Sequence, residues 1–561
     1  MGGMRGKELV ELIRASLIGD DLMLEGPYGA RPVIYADYTA SGRSLSIIED
    51  AIRELVLPWY ANTHSESSGT GLQTSTFREQ ARDAVRKSIG GDESTAVIFV
   101  GSGATGAVNK MVSILGLSLS LEIDEKIKFI NEIPAKKRAV VFIGPFEHHS
   151  NDLPWRESIA EVVRIPEDET GHLDMHALAV ALDKYADRPL KVGSFSAASN
   201  VTGIITDADA VSRLLHEKGA LALWDYAAAG PYVAIDMNPA SDPLAYKDGI
   251  FLSPHKFVGG PGSPGVLAVR REHVDRSIPT SPGGGTVDFV SAELSVYVDD
   301  PVRREESGTP DIIGSIRAGL VFDLKDAVGV VEIERRESEF LAIANSEFAK
   351  SPNIEILGNL DAKRLSILSL RIASGGRFLH HNFLVALLND LFGIQARGGC
   401  SCAGPYGHRL LGIDENKSHA FEDVIAQGWD GMKPGWIRIN FNYFISDEIR
   451  DYVIGAIKFV AEHGSKFLED YYFDPHLGLW WNKKPVAREV LGLDQIAPWK
   501  GVAYIARQIQ REINLNFYLA QAEELASVRR DAKIDPLVEM PVDVELLRDF
   551  VLPKSSINER V

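Results

Sequence analysis

The stretch GIFLSPHKFVGGPGSPGVLAVR, residues 249–270, decides how the rest of the chain is read. It reads as a short apolar strand, a turn carrying Ser253, His255 and Lys256, a glycine-proline loop and a second apolar strand. Lysine is ordinarily a solvated surface residue, yet Lys256 falls between two runs whose composition asks for burial. A lysine desolvated beside another cationic group has a lowered pKa, and its free amine can condense with a carbonyl as a Schiff base. A lysine that merely edges a loop would look the same, so the other segments decide.

Upstream, the apolar run 96–100 (AVIFV) enters GSGATG, 101–106, and then a helical pattern to about residue 115. The turn matches G-x-G-x-x-G, but a dinucleotide site also needs an acidic residue ending a second strand about 20 residues on. Here a charged insertion, 118–138, intervenes, and the next strand begins near Ala139. What survives is a strand-to-helix turn at Gly103, Ala104 and Thr105, whose amides and helix dipole suit one phosphate. The strand 139–143 then runs into GPFEHHSNDLPW and places His148 and His149 beyond its end. In the same way 192–195 leads to SAASNVTG and Asn200, and 221–224 delivers Asp225. An acid capping an otherwise buried strand needs a cationic partner.

Strand, helix and strand alternate here, which predicts a mostly parallel sheet with helices on both faces, an α/β fold whose strand tips share one edge. At that edge a phosphate cradle, a ring-stacking histidine, an acid for a ring nitrogen and a Schiff-base lysine together meet the requirements of pyridoxal 5'-phosphate. Two earlier segments flank this region. Residues 32–37 (PVIYAD) form a short apolar strand, and 62–73 (NTHSESSGTGLQ), with His64, read as a loop before a helix over 76–89.

Bulk properties narrow the classes. At 561 residues the chain needs more than one core, and 45% apolar with 24% charged residues is ordinary for a globular protein. With 59 basic against 78 acidic residues the net charge is -19, which argues against a nucleic-acid partner. The two cysteines, Cys400 and Cys402, exclude a disulfide scaffold and an all-cysteine metal site, and no metal site is expected. The N-terminal residues mix charge with apolar residues at helical spacing, without a secretory core, and no apolar run reaches membrane-spanning length. A cytoplasmic protein with no membrane contact is the expectation.

These motifs, in this order, resemble the class V aminotransferase and cysteine desulfurase group of pyridoxal-phosphate enzymes, of fold type I, over roughly residues 33–464. The resemblance implies that His148 stacks on the cofactor ring, that Asn200 lies near its phenolic oxygen and that Asp225 pairs with the pyridinium nitrogen. SPHK would supply Lys256 as the Schiff-base residue, with Ser253 and His255 on the phosphate beside Ala104 and Thr105. EESGTPDIIG would send Thr309 to the phosphate of a partner subunit, hence a homodimer. The similarity also places Arg397 near the substrate and sets Arg438, in WIRINF, on the amino acid's carboxylate; His64, in the 62–73 loop, is a further substrate-binding candidate. RGGCSCA aligns with the mobile catalytic loop, Cys402 being the persulfide-forming residue. One departure stands out: where plain desulfurases carry D-G-A-Q, this chain reads Asp225, Tyr226, Ala227, Ala228, without the glutamine.

Four segments follow: an N-terminal helical segment, 1–31; a large cofactor domain, 32–319; a smaller α+β domain, 320–465, opening on a long charged helix; and an extension, 466–561. The extension holds Trp480, Trp481 and Trp499, has helical spacing over 502–528, and is expected to pack on the domain or dimer surface. The expected reaction removes sulfur from L-cysteine, giving L-alanine and a Cys402 persulfide that passes to an acceptor protein. The same apparatus supports a class V aminotransferase, an epimerase or a carbon-sulfur lyase. The C-x-C pattern and the missing glutamine also resemble molybdenum cofactor sulfurases, and a non-catalytic partner protein of the same fold is a further reading.

Overall fold

The computed structural model describes residues 4–63, 66–484, 486, 492–497, 499, 514–531 and 540–552. After a short amphipathic helix α1 (Lys7–Ala15), the large sheet is built from β1 (Thr95–Val100), β2 (Val140–Ile143), β3 (Glu161–Arg164), β4 (Lys191–Ser196), β5 (Leu221–Asp225), β6 (Gly249–Leu252) and β7 (Gly265–Arg270). Their order is β1-β7-β6-β5-β4-β2-β3. Strands β2 to β6 pair in parallel, and β7 is antiparallel to both β6 and β1. Only β7 therefore runs backwards, and the carboxyl ends of the other six face one edge, as the alternating pattern predicts.

The strands are apolar at successive positions because each face meets a different core. Val97, Phe142, Trp224 and Ile250 join one buried cluster, while their neighbours Ile98, Val141, Leu223 and Phe251 join another. The helices α2 (Gly69–Ser88), α3 (Gly103–Ile114), α4 (Ala208–Glu217) and α5 (Ile312–Val328) divide between these faces. Met111 and Val108 of α3 fill the second cluster; Val85 of α2, Leu215 of α4 and Phe322 of α5 fill the first. Burying one such side chain contributes about 1.5–3 kcal/mol, so a polar substitution at Phe142 or Leu223 would open the sheet.

Two readings of the sequence are corrected. The run 62–73 is not a loop throughout: α2 begins at Gly69, because the Ser68 hydroxyl accepts the Gly71 N–H and caps the helix. The single long helix after Leu320 is two, α5 and α6 (Val330–Phe348), divided at Gly329 with φ 88°, a conformation open to glycine.

The second half forms a smaller antiparallel sheet, β8 (Ile354–Ile356), β9 (Ile367–Ser374), β10 (Arg397–Gly399) and β11 (Trp436–Asn440), in the order β8-β9-β11-β10. Helices α7 (His381–Phe392) and α8 (Asp447–His463) cover it. The short strand Ile34–Tyr35 pairs in parallel with Ile394–Gln395 of this half, which brings the 32–37 segment to the smaller sheet.

Beyond α8 the hairpin β12 (Tyr471–Asp474) and β13 (Leu479–Asn482) buries Tyr471, Phe473 and Trp480 against α7. Trp480 Nε1 donates to His380 Nδ1 at 3.1 Å. Helix α9 (Leu515–Ser527) packs on α8, and Arg371 and Arg377 bind Asp549 and Glu545 of the last described segment. The helical spacing over 502–528 is thus realised at Leu515–Ser527, while 501–513 lie outside the described residues. Trp499 is exposed. Among the described residues no helix is long and apolar enough to cross a membrane.

Candidate active site

The carboxyl edge of the large sheet and the β10–β11 side of the small one enclose a cavity of about 220 Å³. It is lined by Ala104 and Thr105 from the start of α3, His148 after β2, Asn200 after β4, Asp225 at the tip of β5, Ser253, His255 and Lys256 after β6, and Arg397, Ser401 and Arg438 from the second half. Residues more than three hundred positions apart thus meet because the strand tips share an edge. A larger cavity, about 570 Å³, lies between the tail hairpin and α7 and shares no lining residue with this one.

The turn at the start of α3 explains its glycines. Gly103 has φ +55°, and a Cβ there would stand 2.9 Å from both Ser253 Oγ and His255 Cε1. The Ala104 N–H donates to Ser253 Oγ at 2.9 Å, and the Thr105 hydroxyl lies 2.6 Å from that of Ser150. The helix N-terminus and the lysine turn are thereby tied into one cradle.

Lys256 is half-buried in the cavity wall. Burial lowers its pKa to about 8, Arg438 and Arg397 push the same way, and Asp225 and Asp37 oppose them. Burial raises the pKa of Asp225, whose Oδ1 accepts the Ala227 N–H at 2.8 Å. His148 is lowered to about 3, by burial first and by Lys256 next, so its ring is neutral at pH 7. Its Nδ1 accepts the Ser150 N–H at 3.1 Å, which leaves Nε2 to carry the proton. Burial and Lys256 lower His255 to about 4.

Arg438 Nη2 bonds Asp37 Oδ1 at 2.7 Å and Nη1 bonds the Asn200 carbonyl at 3.1 Å. Arg397 Nη2 lies 3.7 Å from Cys402 Sγ. Cys402 is half-buried beside the cavity, and Asn200 Nδ2 donates to the neighbouring Ser401 carbonyl at 2.7 Å. Thr309 is exposed and does not line the cavity of its own chain; His64 lies outside the described residues.

Sequence reasoning gave no role to Asp37 or Glu147, and placed His149 at the strand end without one. Asp37 carries the signal that singled out Asp225, an acid at the end of a short apolar strand. Glu147 is fully buried under the site and bonds Asn151 at 2.6 Å and Ser196 Oγ at 2.7 Å; burial raises its pKa to about 7. His149 grips the Cys402 loop.

Pyridoxal phosphate fits this donor set. Thr39, Asn200, Ser401 and Arg438 line the cavity, and each holds a buried polar atom without a partner among the described residues, a deficit a polar ligand would relieve. The burial penalty on Asp225 is one that a cationic ring nitrogen would remove, and Lys256 supplies an amine whose neutral form is accessible near neutral pH.

Residues 34–418 match the family model described as Aminotransferase class-V. A probable cysteine desulfurase of Halalkalibacterium halodurans is 26% identical over 387 residues, 68% of this chain and 87% of that protein. A cysteine desulfurase of Dickeya dadantii is 27% identical over 387 residues, 68% of this chain and 86% of its own. Among solved structures, a cysteine desulfurase of Thermococcus onnurineus superposes with a TM-score of 0.64 at 23% identity, covering 82% of this chain and 100% of that one. At those identities the structural likeness speaks for the fold, fold type I.

Proposed function

We propose that this chain, which belongs to the class-V aminotransferase family and is a pyridoxal-phosphate-dependent enzyme, removes sulfur from L-cysteine to give L-alanine and a persulfide on Cys402. The observation that carries the reading is the meeting of Arg397, Arg438 and Lys256 at one cavity, with the Cys402 sulfur 3.7 Å from Arg397 beside it. The desulfurase names of the similar proteins support it.

Bound here, the cofactor would accept the electron pair released at the substrate's α-carbon. Lys256 would hold it, with Asp225 facing the ring nitrogen, His148 on the ring, Asn200 near the phenolic oxygen, and Ala104, Thr105, Ser253 and His255 around the phosphate. Arg438 binds the substrate carboxylate through its planar fork, with Arg397 beside it; Asp37 fixes one edge of that fork at 2.7 Å. With its amine free, Lys256 would be the base for the α-proton, and a pKa of about 8 gives it a usable neutral form near neutral pH. Neutral His148 offers its Nε2–H as a donor. The Cys402 thiolate attacks the substrate sulfur: a new S–S bond forms at Cys402, the substrate's Cβ–S bond breaks, and protons returned to carbon complete L-alanine.

The persulfide goes to an acceptor protein, and the enzyme works as a cytoplasmic homodimer. Exposed Leu55, Leu57, Trp59, Tyr60 and Leu72, with Phe289, Val290 and Leu294 on a surface hairpin, give a subunit contact apolar material, and exposed Thr309 is free to reach a partner's phosphate. Sedimentation as a monomer at micromolar concentration would refute the dimer.

The test of the reaction is to incubate the holoenzyme with L-cysteine and a reductant and to quantify sulfide and alanine. Equal amounts of both are expected, lost in Cys402→Ser. Turnover unaffected by that substitution would defeat the persulfide route, and no turnover of cysteine would leave amino-group chemistry at Lys256.

A further inference from the structure

The turn that carries Cys402 is folded against its own backbone preference. Ser401 and Cys402 have φ of 54° and 57°, two consecutive non-glycine residues in the left-handed region. The turn closes with a 3.3 Å bond from the Ala403 N–H to the Cys400 carbonyl. Such a conformation persists only where the surroundings over-determine it.

Three ties do so. Asn200 Nδ2 donates to the Ser401 carbonyl at 2.7 Å, the His149 N–H donates to the Cys402 carbonyl at 2.9 Å, and the Gly404 N–H donates to His149 Nε2 at 3.1 Å. Two of the three belong to His149, one from its backbone and one to its ring, so this residue grips the turn at the thiol-bearing residue and again two residues later. Because Nε2 accepts, the neutral ring carries its proton on Nδ1. The charged and titratable groups facing it are Asp152, Arg156 and His148; burial is the main cause that lowers its pKa, which keeps the acceptor available at neutral pH.

We propose that His149 is a positioning residue that holds the strained 400–404 turn docked beside Arg397, so that the Cys402 thiol waits at the edge of the lysine cavity. The proposal rests on the reading of Cys402 as the persulfide-forming residue, but the clamp itself is measurable without turnover.

The test uses full-length holoenzyme and the variants His149→Ala and His149→Gln, the glutamine amide reaching about as far as Nε2. Alkylation of resting enzyme by iodoacetamide is read at Cys402 by fragment ions of the 398–409 peptide. It should be about fivefold faster in His149→Ala, because the released turn opens. Single-turnover persulfide formation should fall about tenfold or more, as a misplaced nucleophile loses its advantage. Exchange of the substrate's α-proton with solvent, which needs Lys256 and not the thiol, should be unchanged, and His149→Gln should restore both thiol readouts. Alkylation and persulfide formation in His149→Ala within about twofold of the parent would overturn the proposal, as would a glutamine variant as defective as the alanine one. Should Cys402 never gain sulfur in the parent enzyme, the desulfurase reading falls, while the alkylation arm still decides whether His149 holds the turn.

Discussion

The lowered pKa of Lys256 makes a prediction that can be followed with pH alone. A solvated lysine at its ordinary value of 10.5 offers about one neutral amine in a thousand at about pH 7.5, whereas a pKa of about 8 offers about one in four, roughly 240-fold more. Burial is the main cause, and the nearby Arg438 and Arg397 push the same way. The rate at which cofactor-free protein captures pyridoxal phosphate at Lys256, followed by visible absorbance in a rapid mixing experiment, should therefore climb about tenfold per pH unit up to about 8 and then level off. Arg397→Gln removes a cation that disfavours the ammonium form, so its plateau should begin at higher pH. Lys256→Ala should develop no such absorbance. A parent rate still rising tenfold per unit between about pH 9 and 10 would refute the reasoning, because it would describe a solvated lysine.

Other consequences are quantitative as well. Arg438→Lys keeps the charge but loses the fork, and kcat/KM for L-cysteine should drop about 30- to 200-fold, about 2–3 kcal/mol, with KM carrying most of the loss. Burial alone would raise the pKa of Asp248, but its bonds to His216, His273 and the Ala222 N–H hold it down to about 2. A depressed carboxylate stabilises above its unfolded pKa and loses that stabilisation as pH falls through the folded one, so Asp248→Asn should cost roughly 2–3 kcal/mol at pH 7 by urea denaturation. The difference should shrink between about pH 4 and pH 2, and a constant difference would contradict the assignment. Trp480→Phe removes the donor to buried His380 and should lower stability by about 1–2 kcal/mol, with the hairpin 471–482 becoming a site of limited proteolysis.

The sheet was legible because each apolar run ends in a residue whose chemistry does not belong there. Asp225 at the end of LALW and Lys256 between two buried strands are anomalies until the strand tips are brought to one edge. The glycines of GSGATG were legible as a phosphate turn, although their reason is steric: Gly103 must clear Ser253 and His255. What sequence could not give was pairing across the two halves. Asp37 meets Arg438 from 401 positions away, and His149, two letters into a recognisable motif, closes on a loop 255 positions downstream. The start of α2 was hidden because small polar residues read as loop when their cap, Ser68, is taken as one more of them. The extension gave its tryptophans but not the hairpin that buries Trp480.

The most direct measurement is the mass of the 398–409 peptide after one equivalent of L-cysteine has been added to the holoenzyme without reductant, with free thiols and persulfides trapped by alkylation. One additional sulfur atom is expected, located by fragment ions on Cys402 and not on Cys400, accompanied by one equivalent of L-alanine. Alanine formed with no sulfur on Cys402, or sulfur found only on Cys400, would contradict it.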